Sequence, residues 1–177
     1  LDYAAGNLKN VCRAITHLNF DYQLVSNEKD VLSVDKLVIP GVGAYKVAME
    51  QLNEKKLIEP IKKIANQGVP ILGICLGMQL LFEESFEFGI TQGLCLLNGK
   101  VDKIPTKGIS GKKLKVPHIG WNELILNNSE SSIIKGIQNS EPFYFVHSFR
   151  VVDFDESVLV GHCLYDGLQL PGIVKRD

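Results

Sequence analysis

The sequence predicts an α/β protein: a mixed, largely parallel sheet flanked by helices in the first half, and a strand-rich second half. In the first half, apolar runs of strand length alternate with segments whose apolar residues recur at helical spacing. That alternation is typical of βαβ units. In the second half, short apolar runs follow one another and are separated by Gly, Pro and Asn, which predicts strands joined by turns.

The first half begins with a turn and helix-start signal at Gly6-Asn7. The spacing of the apolar residues predicts the elements that follow. Pro60 is expected in the first turn of its helix, where a missing N–H costs nothing. The predicted elements are helices at 8–18, 44–51, 57–68 and 76–83, and strands at 22–25, 36–39 and 69–74.

The second half is expected to contain six strands, a solvated Gly- and Lys-rich loop at 107–115 and one short helix within 129–136. The strands are predicted at 94–97, 101–104, 122–126, 143–149, 158–163 and 172–174. We find no internal repeat and no low-complexity linker, so we predict a single domain over residues 1–177.

The stretch around Cys75 is the strongest functional signal. An apolar strand gives way without a loop to a segment of helical composition, and Cys75 lies at the joint between Gly73 and Gly77. A nucleophile elbow needs this arrangement, because so sharp a turn leaves no room for side chains two residues before and after the nucleophile. The start of a helix also favours a thiolate. The alternative is a small apolar residue in a core strand.

Pro40-Gly41-Val42-Gly43 directly follows a predicted strand end. Loops at the carboxyl ends of parallel strands are where ligands bind in such sheets, and two glycines leave the backbone free to point N–H groups outward. The loop is therefore a candidate oxyanion loop, with a plain glycine turn as the alternative. It is not a phosphate-binding loop, because the G-K-[ST] ending is absent.

Composition excludes several classes of protein. With 19 Lys and Arg against 20 Asp and Glu, the formal charge is −1, which argues against a nucleic-acid partner or an anionic membrane surface. No apolar run approaches the length of a membrane span. The cysteines are scattered without a C-x-x-C pair, which indicates neither a zinc site nor a disulfide framework, and a reducing cytoplasm fits best. We predict no metal and no cofactor.

The ends of the sequence look interrupted. Leu1 lies in what reads as the end of a strand, without an initiator methionine, and an apolar run has just begun at Gly172. We therefore expect both ends to be truncated.

Taken together, the motifs resemble those of class I, triad-type glutamine amidotransferases. The elbow match is Gly73-Ile74-Cys75-Leu76-Gly77-Met78-Gln79. Within the class, the likeness is to glutaminase subunits of imidazole glycerol phosphate synthases, enzymes of histidine biosynthesis, and it spans nearly the whole chain. It is carried by Asp2-Tyr3 with Gly6-Asn7-Leu8, Pro40-Gly41-Val42-Gly43-Ala44, Pro117-His118-Ile119-Gly120-Trp121-Asn122 and Phe143-Tyr144-Phe145-Val146-His147-Ser148.

This resemblance implies a role for each matched residue. Cys75 attacks the glutamine carboxamide, forming a glutamyl thioester and releasing ammonia. The backbone N–H groups of Gly43 and Leu76 stabilise the oxyanion, after a peptide reorientation at Gly43. Gln79, with the backbone around Ser148 and Phe149, holds glutamine.

The resemblance also implies a partner, a (β/α)8-barrel cyclase subunit that receives the ammonia. The residues implied to face it are Pro117, His118, Gly120, Trp121 and Asn122. Trp121 could equally be a core residue. For Tyr144, Phe145 and Phe149, we prefer core packing to ligand stacking.

Class members carry their catalytic His and Glu in an H-P-E motif, after a strand that begins much as Gly172-Ile173-Val174 does. The 177 residues contain no such motif. We expect none of the four histidines (His17, His118, His147 and His162) to act as the base, and the sequence as it stands to be inactive. Two other functions stay open: a paralogous subunit that feeds ammonia to another synthase, such as one modifying a surface sugar, and a non-catalytic interaction subunit.

Overall fold

The computed structural model describes residues 1–4, 7–128 and 130–176, and they form two compact units, Leu1–Leu97 and Asn98–Asp177. The single-domain assignment made from the sequence stays a prediction. Gly6 of the predicted first turn and Ser129 of the predicted short helix lie outside the described residues. In the part of the chain that the structure describes, every helix is too short or too polar to cross a membrane.

The first unit contains helices around a parallel pair of strands, β1 and β2, whose register joins Leu37 to Ile71 and Ile39 to Gly73. Leu37 and Ile39 are buried, as are apolar residues of α3 and α4, whereas α1 has no buried residue. The elements are α1 (Leu8–His17), α2 (Glu28–Val31), β1 (Leu37–Ile39), α3 (Tyr45–Glu54), α4 (Ile58–Asn66), β2 (Ile71–Gly73), α5 (Leu76–Gln79), β3 (Glu84–Ser85) and β4 (Thr91–Gln92). Pro60 lies in the first turn of α4, as predicted.

Two predicted strands are absent, and the helix after Cys75 is shorter than predicted. Residues 22–25 form no strand: the backbone bond from Asp2 N–H to the Val25 carbonyl does not extend into a ladder. Residues 94–97 form no strand because their N–H groups bond to the Leu80, Leu81 and Phe82 carbonyls, at the end of α5. The apolar run at 94–97 thus provides hydrogen-bond donors for the backbone carbonyls of the residues that follow α5. Helix α5 itself ends at Gln79 and is followed by turns.

The second unit is antiparallel and rich in strands, as predicted. Its main sheet has the order β10-β9-β6-β7, and β5 pairs separately with β8. The edge strands β7 and β10 carry Pro142 and Pro171, which fits the confinement of proline to sheet edges. The elements are β5 (Lys100–Lys103), β6 (His118–Leu126), β7 (Glu141–His147), β8 (Phe149–Val152), β9 (Leu159–Tyr165), β10 (Leu168–Val174) and 3₁₀ turns at Ser132–Ile134 and Glu156–Val158.

Candidate functional site

Cys75 lies at the turn between β2 and α5, with φ 56° and ψ −114°. This backbone conformation is strained for a residue with a side chain, and such strain is typical of functional turns. The Cys75 side chain is exposed. The core-residue alternative for Cys75 is therefore wrong, while its role as a nucleophile stays a prediction.

The two glycines that flank Cys75 leave no room for a side chain. A Cβ added at Gly73 would lie 2.5 Å from the Gly77 carbonyl oxygen, and one added at Gly77 would collide with the Ile39 carbonyl oxygen. Both obstacles are backbone atoms, which cannot turn away as a flexible side chain would. The steric argument made from the sequence is confirmed at both positions.

The loop at residues 40–43 packs directly against this turn. A Cβ on Gly41 would lie 2.8 Å from the Gly77 nitrogen and 2.9 Å from the Leu76 Cβ. Gly43 has open space around it, but its φ of 103° favours glycine. Along the described parts of the chain, the structure records no acceptor for the N–H of Gly43 or Leu76. The loop is thus adjacent to the elbow, as an oxyanion loop must be, and the oxyanion role stays a prediction.

A buried tyrosine holds the first residue of the loop. The Tyr3 hydroxyl donates a hydrogen bond to the Pro40 carbonyl oxygen at 2.7 Å. Burial raises the pKa of the Tyr3 phenol well above its ordinary range, so the hydroxyl remains a donor at neutral pH. The hydrogen bond therefore holds the Pro40 carbonyl in place.

Glu87 holds the other end of the loop, and sequence reasoning missed it. Its Oε2 accepts a hydrogen bond of 2.7 Å from the Tyr45 backbone N–H, at the start of α3. The N-cap residue of α3 is Ala44, whose side chain cannot cap a helix. A residue at the start of a helix that cannot cap it indicates that another group does so. The sequence does not show that this group is Glu87, which lies 42 residues after Tyr45.

The predicted glutamine-holding residues lie on both units. Gln79 is half-buried, and its N–H bonds to the Cys75 carbonyl at 3.2 Å, which places it one helical turn after the nucleophile. Ser148 is the single residue between β7 and β8, and its carbonyl accepts from the Ile104 N–H at 2.9 Å. Phe149 begins β8 and is half-buried. Their substrate-binding roles stay predictions.

The stretch 117–122 presents side chains to both faces of β6. Trp121 is 70% exposed and its ring centroid lies 5.5 Å from that of Tyr144, across the strand pair. Pro117 is exposed and Gly120 is half-buried. His118 differs from the prediction: because alternate side chains of a strand face opposite ways, its ring points inward and is only 3% exposed.

The exposed side of this strand pair is mainly apolar. We define the outer β6–β7 face as Ile119, Trp121, Tyr144 and Val146, each more than half exposed. For Trp121 the core alternative is therefore wrong. For Tyr144 our preference for core packing was also wrong, whereas Phe145 does pack against the core of the second unit, as expected.

None of the four histidines has surroundings that suggest a catalytic base. His17 is exposed at the end of α1, and His162 is buried with its Nδ1 at 2.7 Å from Asn127 Oδ1. His118 and His147 bond to each other. Among residues 1–4, 7–128 and 130–176, no three His, Cys, Asp or Glu side chains converge so as to hold a metal ion.

The pKa values of His118, His147 and His162 all lie below the ordinary imidazole range. Burial is the largest cause in each. The nearby His147 lowers the pKa of His118 further, whereas a hydrogen bond to the Phe149 carbonyl opposes the shift at His147, and Glu156 opposes it at His162. The folded protein therefore binds fewer protons at these rings than the unfolded chain does.

We expect the free energy of unfolding to decrease as the pH falls from 7.5 to 5.5. A histidine whose pKa is lowered by folding destabilises the folded state once the pH drops below the unfolded value of about 6.5. Urea unfolding at several pH values measures this, and His162→Gln is expected to show a smaller decrease. Equal or greater stability at pH 5.5 would contradict the prediction.

Comparisons with known proteins agree with one another. The family model "Glutamine amidotransferase class-I" matches residues 1–177. The chain is 41% identical over 181 residues to imidazole glycerol phosphate synthase subunit HisH 1 of Legionella pneumophila strain Lens, covering 100% of this chain and 85% of the relative. It is 42% identical over 180 residues to subunit HisH of Aquifex aeolicus strain VF5, covering 98% and 84%.

A solved structure also matches. It is described as the crystal structure of a glutamine amidotransferase, with a TM-score of 0.72 at 18% identity, covering 97% of this chain and 81% of that one. At this level of identity the likeness shows the fold alone, which is the α/β class predicted from the sequence.

Proposed function

This chain belongs to the class-I glutamine amidotransferase family, and from that membership we propose that it is the glutaminase subunit of an imidazole glycerol phosphate synthase. It hydrolyses glutamine and passes the ammonia to a cyclase subunit. The cyclase uses the ammonia to convert PRFAR into imidazole glycerol phosphate and AICAR. The similarity to HisH subunits over the full chain supports the choice of synthase.

The observation that carries the chemistry is the backbone at Cys75, held at φ 56° between two glycines that admit no side chain. The Cys75 thiolate attacks the carboxamide carbon of glutamine, and the carbonyl oxygen becomes an oxyanion. Collapse of this intermediate breaks the carbon–nitrogen bond, and the leaving nitrogen takes up the equivalent of the proton that the Cys75 thiol lost on ionisation, which makes it ammonia. Water then hydrolyses the thioester to glutamate and regenerates Cys75.

Gly43 and Leu76 are proposed to donate their N–H groups to the oxyanion. Contact of the loop with the elbow through Gly41 supports this role, because donors to an oxyanion must lie close to the nucleophile. Tyr3 and Glu87 are proposed to hold the two ends of the loop, through Pro40 and Tyr45. A peptide reorientation at Gly43 then moves a short segment between two anchored ends.

The outer β6–β7 face is proposed to dock the cyclase, a (β/α)8 barrel. Exposed aromatic side chains that pack on each other, as Trp121 and Tyr144 do, are typical of the central anchors of interfaces. Pro117 is exposed immediately before β6, whereas Gly120 and Asn122 lie on the same side of β6 as His118 and are left out of this docking face.

The experiment that tests this function measures glutamate release by the full-length gene product, alone and with the cyclase of the same organism. We expect turnover to appear or to rise sharply when the cyclase and its substrate are added, with imidazole glycerol phosphate formed in step. Glutamate release without that product would indicate a different synthase. No release under either condition would indicate a non-catalytic interaction subunit.

A further inference from the structure

Three polar side chains of the second unit form a continuous hydrogen-bonded chain that ends on the backbone at Phe149. Asn122 Nδ2 lies 3.1 Å from His118 Nε2, and His118 Nδ1 lies 2.9 Å from His147 Nε2. His147 Nδ1 lies 2.9 Å from the Phe149 carbonyl oxygen. We call this set the Asn122–Phe149 relay.

The Phe149 carbonyl determines the direction of every bond in the relay. A carbonyl oxygen only accepts, so His147 carries its hydrogen on Nδ1 and, when neutral, offers Nε2 as an acceptor. His118 must then donate from Nδ1, which leaves its own Nε2 to accept from the Asn122 amide. The second amide hydrogen of Asn122 points to the Leu164 carbonyl oxygen at 3.4 Å, so the assignment gives a partner to both nitrogens of each imidazole and to both amide hydrogens of Asn122.

The relay requires both imidazoles to be neutral. A second proton on His147 would place two N–H groups against each other, and one on His118 would face the Asn122 amide hydrogens. The surroundings favour neutrality, because the His118 ring is buried between Phe145, at a centroid distance of 5.5 Å, and Tyr165, at 4.4 Å. Burial lowers the pKa of both histidines, in the direction that the relay needs.

The last bond of the relay spans the link between β7 and β8. His147 ends β7, Phe149 begins β8, and Ser148 is the only residue between them. The Ser148 carbonyl is held from the other side by the Ile104 N–H. Since a peptide group is planar, fixing these two carbonyls also fixes the directions of the N–H groups bonded to the same carbons.

We infer that His147 is a positioning residue for glutamine, held in its working tautomer by His118 and Asn122. This inference rests on the proposed function and on the role that the resemblance implies for the backbone at Ser148 and Phe149, namely holding glutamine. Loss of the final bond removes the side-chain anchor of the Phe149 carbonyl, and we expect this to weaken the binding of glutamine. The attack by Cys75 is not directly affected.

Two substitutions at His147 separate the final bond from the rest of the relay. In His147→Asn, the side-chain amide replaces Nδ1 and still donates to the Phe149 carbonyl, but it no longer reaches His118. In His147→Gln, the amide replaces Nε2 and still meets His118, but it loses the Phe149 carbonyl. We expect His147→Gln to raise the KM for glutamine about tenfold, as the loss of one well-formed hydrogen bond does, with a much smaller change in kcat.

For His147→Asn, we expect a KM for glutamine close to that of the unaltered protein, because the bond to the Phe149 carbonyl is kept. The matched control is His162→Gln, which removes a buried histidine with a single side-chain partner outside the relay and should leave the KM unchanged. Assays use the full-length subunit with its cyclase. An equal rise in KM in both His147 variants, or none in His147→Gln, would overturn the inference.

The tautomers themselves give a readout that does not depend on activity. Two-dimensional ¹H–¹⁵N spectra of the imidazoles at pH 7.5 should show Nδ1–H on both His118 and His147. In Asn122→Asp the carboxylate only accepts, so His118 is expected to carry hydrogens on both nitrogens and to titrate at higher pH. Nε2–H on either ring of the unaltered protein would overturn the relay even if glutamine is hydrolysed normally. Absence of glutamine hydrolysis with the expected tautomers would instead overturn the proposed function.

Discussion

Replacement of Cys75 by Ser is expected to reduce glutamine-dependent synthesis by more than about 10⁴-fold, because removal of a catalytic nucleophile leaves only binding and oxyanion stabilisation. Serine matches the size of cysteine and adds no atom to a turn that Gly73 and Gly77 already fill with backbone. The effect should therefore be chemical and should not come from misfolding. Glutamate release by the full-length subunit bound to its cyclase measures it.

An ammonium salt supplied in place of glutamine provides the internal control. The cyclase of the Cys75→Ser complex should still make imidazole glycerol phosphate at a rate close to that of the unaltered complex, since only the source of ammonia has changed. Cys95→Ser is the matched variant, because Cys95 is also exposed and lies outside the elbow. Persistent glutamine hydrolysis in Cys75→Ser would contradict the assignment of the nucleophile.

Replacement of Trp121 by Ala is expected to weaken association with the cyclase by at least about 30-fold, since aromatic anchors at the centre of an interface contribute roughly 2 kcal/mol or more. The Trp121 side chain is already 70% exposed in the unit, so its removal should cost little stability. Titration calorimetry with the purified cyclase measures the affinity, and thermal unfolding checks the fold.

Ile109→Ala is the matched control for this surface. Ile109 is 73% exposed in the same unit, but lies on the loop that follows β5 and not on the outer β6–β7 face. Its removal is expected to leave the affinity unchanged. Equal losses in the Ile109 and Trp121 variants, or none in either, would place the cyclase elsewhere.

Predictions from the sequence succeeded where the deciding contacts are close along the chain. The sequence predicts that Gly73 and Gly77 lie in a turn without room for side chains, and a Cβ added at either position would collide with backbone of the elbow or of the adjoining β1. Pro60 was placed in the first turn of α4, because proline is tolerated only where no N–H is needed. Local sterics and backbone hydrogen bonding decide both positions.

The predicted secondary structure is wrong where it depends on a hydrogen-bonding partner that is distant in the sequence. Residues 22–25 have the composition of a strand, but they lack a ladder partner that would extend their single bond to Asp2. Residues 94–97 have the same composition, but their N–H groups bond to the carbonyls of residues 80–82, just after α5, and not to another strand. A strand is defined by its pairing, so composition alone does not determine it.

By itself, the sequence determined the α/β class, the strand-rich second half and the elbow around Cys75, because periodicity, turn residues and glycine sterics act over a few residues. Only the tertiary structure decided which side chains meet: Glu87 at the start of α3, Trp121 beside Tyr144 on an exposed face, and His118 against His147, 29 residues apart. These contacts depend on strand register and chain reversal, which bring together residues that no local pattern connects.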